Sequence, residues 1–462
     1  MPVHSLNSIP QIDGLLFDAE KRSEIAKSLN LKYNTWKHKN GLTYHILKYD
    51  KDWLVRENIK SIGLLRSVIF KDDGTVVSFA PPKSLLTETL NIDLKSDYVA
   101  ETFVEGTMIN VFYEAETTSW EIATRSSVGG GTCFFMENGF KEENTFKYMF
   151  DEVCQSVGLN LDNLNKKYVY SFVMQHPRNR IVTIIKEMSL YLVDVYQIED
   201  NKTIRVVSIN NDFEDLGIEK SKVNLVNKIS LKNEEDLHKC IESMASINTP
   251  YDNVGVVIRN NIGERYKFRN PNYEHVRELR GNQPKLQYHY INLRQTGKVA
   301  EYLQYYKEHK KPFNDFRNMI HDYTNELLSN YIRCYIKKEK TLKEFPEKYR
   351  VHMYTLHHEI YLKTLMPEKK YVNKEVVVHY FNGLHPAKQM FVMNYDMRKN
   401  HTDGENNIMT DTITNDTITN DTITNDTITN DTITNDTITN DTITNDTITN
   451  DTITNDTVDV AL

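Results

Sequence analysis

Val99-Ala-Glu-Thr-Phe103-Val-Glu105-Gly106-Thr-Met-Ile-Asn-Val-Phe-Tyr-Glu114 and, after a short polar gap, Ser119-Trp-Glu-Ile-Ala-Thr-Arg125-Ser-Ser-Val128 is the stretch that decides the fold. Thr107, Ile109, Val111 and Tyr113 alternate with Met108, Asn110 and Phe112, the period of an extended strand. Trp120 to Thr124 is a second extended run across a turn, so the pattern predicts a β-hairpin.

Strand signals continue on both sides. Upstream, Ser67-Val68-Ile69-Phe70 and Thr75 to Phe79 flank Lys71-Asp72-Asp73-Gly74, and Asp-Gly between β-branched runs is a hairpin turn signal. Downstream, residues 145–157 place Phe146, Met149, Phe150, Val153, Cys154 and Val157 on one helical face, with Gly158 as the stop. Tyr168 to Val173, Leu190 to Ile198, Thr203 to Ile209 and Val254 to Arg259 read as further strands, and Leu237, Cys240, Ile241 and Met244 mark a helix between the last two.

The hairpin resembles the segment that carries the nucleophile in the RNA ligase branch of the ligase and mRNA-capping nucleotidyltransferase superfamily. That family's first motif is Lys-x-Asp/Glu-Gly, followed by a strand and then a basic strand end. Here the tetrad is Phe103-Val104-Glu105-Gly106, and Thr124-Arg125 stands at the later place. Pro177-Arg178-Asn179-Arg180-Ile181-Val182 resembles the family's third motif region, but the glutamate that precedes it there has no counterpart in Ser171, Phe172 or Val173. Val254-Gly255 stands where the family has Glu-Gly with a metal-binding glutamate, and Lys267-Phe268-Arg269 resembles its closing Lys-x-Lys.

The resemblance implies an α+β fold, a nucleotidyltransferase (ATP-grasp-like) core of antiparallel sheets with a cleft between them. In family members the lysine amine attacks the α-phosphate of a nucleotide. Phe103 has no lone pair for that step, and Val254 cannot coordinate a metal. Acids and nucleophile are missing while cations remain, so the resemblance implies an RNA-ligase-like pseudoenzyme that binds nucleotide or RNA through Glu105, Gly106, Arg125, Arg180, Lys267 and Arg269. On a strand Lys267 and Arg269 share a face, where two cations can hold one phosphate group. The alternative is an active RNA ligase or capping-type enzyme using ATP or GTP with Mg2+ and a displaced lysine. The first candidate is Lys71, from the literal Lys-x-Asp-Gly of the upstream turn; otherwise it is an exposed turn lysine. A third reading is a structural or virion-associated protein on the same fold. Gly106 to Phe112 and Leu279 to Lys285 also resemble ligase-like proteins of large DNA viruses.

From Arg265 to Arg294, basic residues are interleaved with Tyr266, Tyr273, Tyr288 and Tyr290, a pattern that suits a single-stranded nucleic acid or a solvated strand face over core tyrosines. After Arg294 the character changes to helices, with Phe313, Phe316, Met319, Ile320, Tyr323, Leu327, Tyr331 and Tyr335 forming one apolar stripe. From 411 to 455 the unit Asp-Thr-Ile-Thr-Asn repeats without an error. Its period of five matches neither strand nor helix, which predicts a disordered tail. The domains read from this are an N-terminal extension (1–40), the ligase-like core (41–294), a helical domain (295–400) and the tail (401–462).

A composition of 39% hydrophobic and 26% charged residues suits a globular chain. Setting aside the eleven aspartates from Asp411 to Asp459 moves the formal charge from −8 to +3, which leaves room for basic surfaces. Cys133, Cys154, Cys240 and Cys334 form no Cys-x-x-Cys pair, which speaks against a zinc site or a disulfide framework. With no signal-like N-terminus and no long apolar run, the expected setting is intracellular, cytoplasmic or in a virus factory or virion, without secretion or a membrane span.

Overall fold

The computed structural model describes residues 2–39, 41–90, 98–134, 141–207, 209, 213–219 and 222–398. The repeat tract and its expected disorder lie outside the described residues. In chain order the strands are β1 (Val3–Ser5), β2 (Leu31–Lys37), β3 (Thr43–Tyr49), β4 (Val68–Lys71), β5 (Val76–Phe79), β6 (Tyr98–Thr102), β7 (Thr107–Glu114), β8 (Ser119–Ala123), β9 (Tyr168–Gln175), β10 (Ser189–Asp200), β11 (Thr203–Val207), β12 (Asn224–Leu225), β13 (Lys228–Leu231), β14 (Gly255–Asn260) and β15 (Arg265–Arg269). They form three sheets, in the orders β1-β11-β10-β9-β7-β8, β13-β6-β14-β15 and β2-β3-β4-β5. Pairing is antiparallel throughout these orders; β12 adds to β10 in parallel. Helices dominate from Pro271 onward, so the chain is an α+β protein with a helical C-terminal region.

The deciding hairpin forms as its alternation requires. Ile109 and Val111 face the cluster that holds Phe146, Phe150 and Val153 of the helix Phe146–Val157, while Phe112 faces the cluster built on the β2-β3-β4-β5 sheet. Strand β7 is thus covered on both sides. The helix begins at Thr145, whose side chain accepts from the Tyr148 N–H at 3.3 Å, and it stops at Gly158 in a left-handed conformation.

Two expectations change. Helix begins at Pro271, with Asn270 capping the Asn272 N–H, so Tyr273 and Tyr290 sit on the helices Pro271–Arg280 and Leu286–Gln295 and are buried with Phe313, Ile320 and Leu327. The basic and aromatic alternation of 265–294 combines the whole of β15 with two helices, since both kinds of element can interleave cations with buried tyrosines. Residues before 40 are also part of the sheets: β1 pairs with β11, and β2 pairs with β3 along its whole length.

Two glycines stand where the backbone excludes a side chain. Gly106 has φ +155°, and a Cβ there would lie 2.5 Å from the Met174 carbonyl oxygen. Gly255 has φ +133°, and a Cβ would collide with the Phe268 carbonyl.

Candidate phosphate-binding cleft

The β13-β6-β14-β15 sheet presents one face to the large sheet, and cross-strand register decides what that face carries. Val257 pairs with both Glu101 and Lys267, Arg259 with Val99 and Arg265, and Gly255 with Arg269. Cross-strand partners share a face, so Glu101, Arg259, Arg265, Lys267 and Arg269 come together, and Phe103 follows one alternation after Glu101.

At one end the charges are matched. Asp194, from β10 of the facing sheet, accepts from Arg259 Nη1 at 2.7 Å and pairs with Arg265 Nη1 at 3.7 Å, and Arg259 Nε reaches Glu101 at 3.2 Å. Arg265 also donates to the Pro82 carbonyl. Burial alone would raise the Asp194 carboxyl, but Arg259 and Arg265 hold it below the ordinary carboxylate value. A shift in strand register between Leu192 and Asp194 accompanies this inward placement.

At the other end the matching is incomplete. The Lys267 amine lies 4.9 Å from the Phe103 ring centroid and the Arg269 guanidinium 5.7 Å from it. Arg269 pairs with Glu274 at 3.3 Å, but among the described residues the Lys267 amine has no hydrogen bond and no carboxylate partner. Burial, together with Arg265, Arg66, Arg269 and Lys83, pushes its amine well below the usual lysine range. Phe103 is 8% exposed and belongs to the apolar cluster of Val254, Val257, Tyr273 and Tyr306. The cavity left between Phe103, Lys267, Met108 and Val173 is only about 40 Å3.

The other residues singled out in the sequence are placed differently. Both Glu105 carboxylate oxygens accept from the 182–183 loop: Val182 N–H at 3.0 Å on one, and Thr183 N–H at 3.0 Å and its hydroxyl at 2.9 Å on the other. The carboxylate staples that loop to the turn before β7; burial nevertheless outweighs these bonds and raises its pKa. Arg180 donates to Val182 O at 3.0 Å and Tyr305 O at 2.9 Å and pairs with Glu308 at 2.5 Å, joining the strands to the helical region. Arg125 donates to Arg66 O at 3.3 Å and Tyr49 O at 3.4 Å and lies over the Tyr49 ring.

Lys71 pairs with Glu114, at 3.4 Å, and with Glu116. Glu114 ends β7 and Gly106 precedes its start, which separates Lys71 from the Phe103 turn by roughly 24 Å of strand. The structure therefore brings Phe103, Lys267 and Arg269 together and leaves Lys71 outside that group.

Sequence reasoning missed Asp194, Glu101 and Arg265 as cleft residues. Asp194 and Glu101 had a readable signal, a charge inside an apolar strand run such as Tyr191-Leu-Val-Asp194-Val-Tyr196, because a charge buried in a sheet requires a partner.

No family model matches the chain, and no curated protein matches it. Two solved structures, forms 1 and 2 of an archaeal ATP-dependent RNA ligase, align with 66% of this chain. Form 1 is 13% identical with a TM-score of 0.36 over 73% of its length, and form 2 is 14% identical with a TM-score of 0.38 over 78%. Similarity at this level carries nothing about the cleft chemistry.

Proposed function

We propose that this is an RNA-ligase-like protein that binds a phosphate of a nucleotide or RNA without covalent nucleotide transfer, through Lys267 and Arg269. The observation that carries the reading is the Lys267 amine, set among Arg66, Lys83, Arg265 and Arg269 and facing an aromatic ring instead of a carboxylate. Lys267 is the member of this group with no carboxylate partner among the described residues, and an anion beside it would relieve the repulsion from its cationic neighbours while gaining charge-assisted hydrogen bonds. The cavity of about 40 Å3 that Lys267 lines together with Glu101, Arg259 and Arg265 is too small for a whole nucleotide, and Arg269 stands outside its lining.

Nucleotidyl transfer would need a nucleophile and metal-binding acids at this place. Phe103 supplies no nucleophile, and Val254 is buried in an apolar cluster. Glu101 and Asp194 both face arginines, and the described residues contain no group of three metal-ligating side chains. These residues do not fit a divalent metal, so we derive no step through Mg2+.

A second reading, a structural protein with no ligand in the cleft, is favoured by the burial of Phe103 against the helical region. Incubation with α-labelled ATP or GTP and Mg2+, followed by denaturing electrophoresis, tests the absence of covalent transfer. No chain-bound label is expected, and acid-labile label lost in Lys71→Ala would establish the active-enzyme alternative. RNA binding that weakens with salt and in Lys267→Ala and Arg269→Ala supports phosphate binding; no binding at low salt leaves the structural reading.

A further inference from the structure

A second cationic cavity, of about 290 Å3, lies where the strands meet the helical region. Arg178, Asn179 and Arg180 line it from the segment after β9, Arg280 from the end of the helix Pro271–Arg280, and Tyr306 and His309 from the turn before the helix Lys310–Tyr331. With Lys141, four cationic side chains line it beside one carboxylate, Glu308, which is paired with Arg180, and a second carboxylate outside the lining, Glu152, pairs with Arg178. Arg280 is 3% exposed, so its charge is held inside the protein and directed at this space. Arg178 lies outward, paired with Glu152.

The cavity is distinct from the cleft at Lys267. The turn into β7 lies between the two, held by Asn179 Nδ2 donating to Thr107 Oγ1 at 2.6 Å and Gln175 Nε2 donating to Glu105 O at 2.8 Å. Its walls come from both halves of the chain, which already meet here through Arg180 and through the Tyr306 hydroxyl donating to Ile181 O at 2.8 Å.

The chemistry selects charge over stacking. The Tyr306 ring is stacked on Tyr302 at 4.6 Å and carries the Arg180 guanidinium at 4.5 Å, so no ring face remains for a base. At about 290 Å3 the space is at the lower limit of small-molecule sites, which begin near ~300 Å3. Three guanidinium groups offer forked donors matched to phosphate oxygens.

We propose that this junction cavity binds a compact polyphosphate group and that the bound group bridges Arg178 and Arg180 of the strand region to Arg280 of the helical region. The assignment is independent of the cleft at Lys267. The group could belong to a free ion, a nucleotide or an RNA 5′ end, which share this chemistry.

Calorimetric titration of the full chain with inorganic triphosphate, with thermal melting of the same samples, tests it. Saturable binding and a raised melting temperature are expected. In Arg178→Gln, a partly exposed position, the affinity falls by about tenfold, the effect of losing one charge-assisted contact. Lys267→Met leaves binding at this cavity intact. Competition by ATP or by a 5′-triphosphorylated oligoribonucleotide identifies the carrier. Absence of binding, or binding that survives Arg178→Gln and disappears in Lys267→Met, overturns the proposal, the second result placing the ion in the cleft instead.

Discussion

The two ends of the cleft between the sheets carry the same kinds of residue and opposite electrostatics. Around Asp194 each buried charge has a counter-charge: two arginines meet one aspartate, and Glu101 takes up the second arginine charge. Around Phe103 the cations continue along β15 to Lys267 and Arg269, but carboxylates do not accompany Lys267. The first end is complete without a ligand and holds the sheets together. The second keeps a lysine whose charge the described residues do not match, which is the arrangement the proposed phosphate site requires.

The largest way to break this contrast is at the complete end. Asp194→Asn strands Arg259 and Arg265 without their main counter-charge, and a loss of ~3–5 kcal/mol is expected in urea denaturation. A loss under ~1 kcal/mol, within the range of exposed pairs, would mean the network is solvated.

Next is the aromatic floor of the open end. Phe103→Ala removes a buried ring from the cluster with Val254 and Tyr273, with an expected cost of ~3 kcal/mol. Phe103→Lys restores the ligase-like tetrad but adds a third amine or guanidinium beside Lys267 and Arg269. It should lower the melting temperature and still give no covalent nucleotide label, because Val254 is unchanged.

Lys267→Met sharpens the contrast with a smaller change of opposite sign. Removing an unmatched cation is expected to stabilise the free protein by ~1 kcal/mol, while RNA binding weakens and its salt slope falls by about one. The same lysine sets a pH dependence. Its folded pKa is below the unfolded value of 10.5, so between the two the unfolded chain binds more protons. Its contribution to stability therefore rises with pH through that window, and phosphate binding, which favours the charged amine, strengthens as pH falls. Melting temperatures of wild type and Lys267→Met across neutral to alkaline pH should converge near the upper end.

The smallest effect on binding belongs to Lys71. One partner, Glu116, is exposed but the other, Glu114, is buried at the far end of β7, so Lys71→Ala leaves a buried carboxylate without its cation and should cost ~3 kcal/mol while leaving phosphate binding unchanged. A loss of binding in that variant would bring Lys71 into the site.

Local signals made much of the strand order legible. Alternation from Thr107 to Tyr113, Asp73-Gly74, and the Thr145 to Gly158 helix limits each rest on neighbouring residues, and each appears in the structure. The helices from Pro271 were hidden because Arg and Tyr interleave equally well on a strand and on a helix whose tyrosines are buried. Part of the site was legible too, since Lys267 and Arg269 share a face through their spacing. The matching of Asp194 with Arg259 and Arg265 was not, because it depends on two sheets packing face to face, and the fate of Glu105 depended on a loop far along the chain.

The measurement that tests the central claim most directly is titration of wild type and Lys267→Met with an oligoribonucleotide at two salt concentrations, with melting temperatures taken on the unliganded samples. The account predicts salt-dependent binding that weakens in Lys267→Met, together with a higher melting temperature for that variant. Equal binding by the two proteins, or a Lys267→Met protein that melts lower and binds as well as wild type, would contradict it.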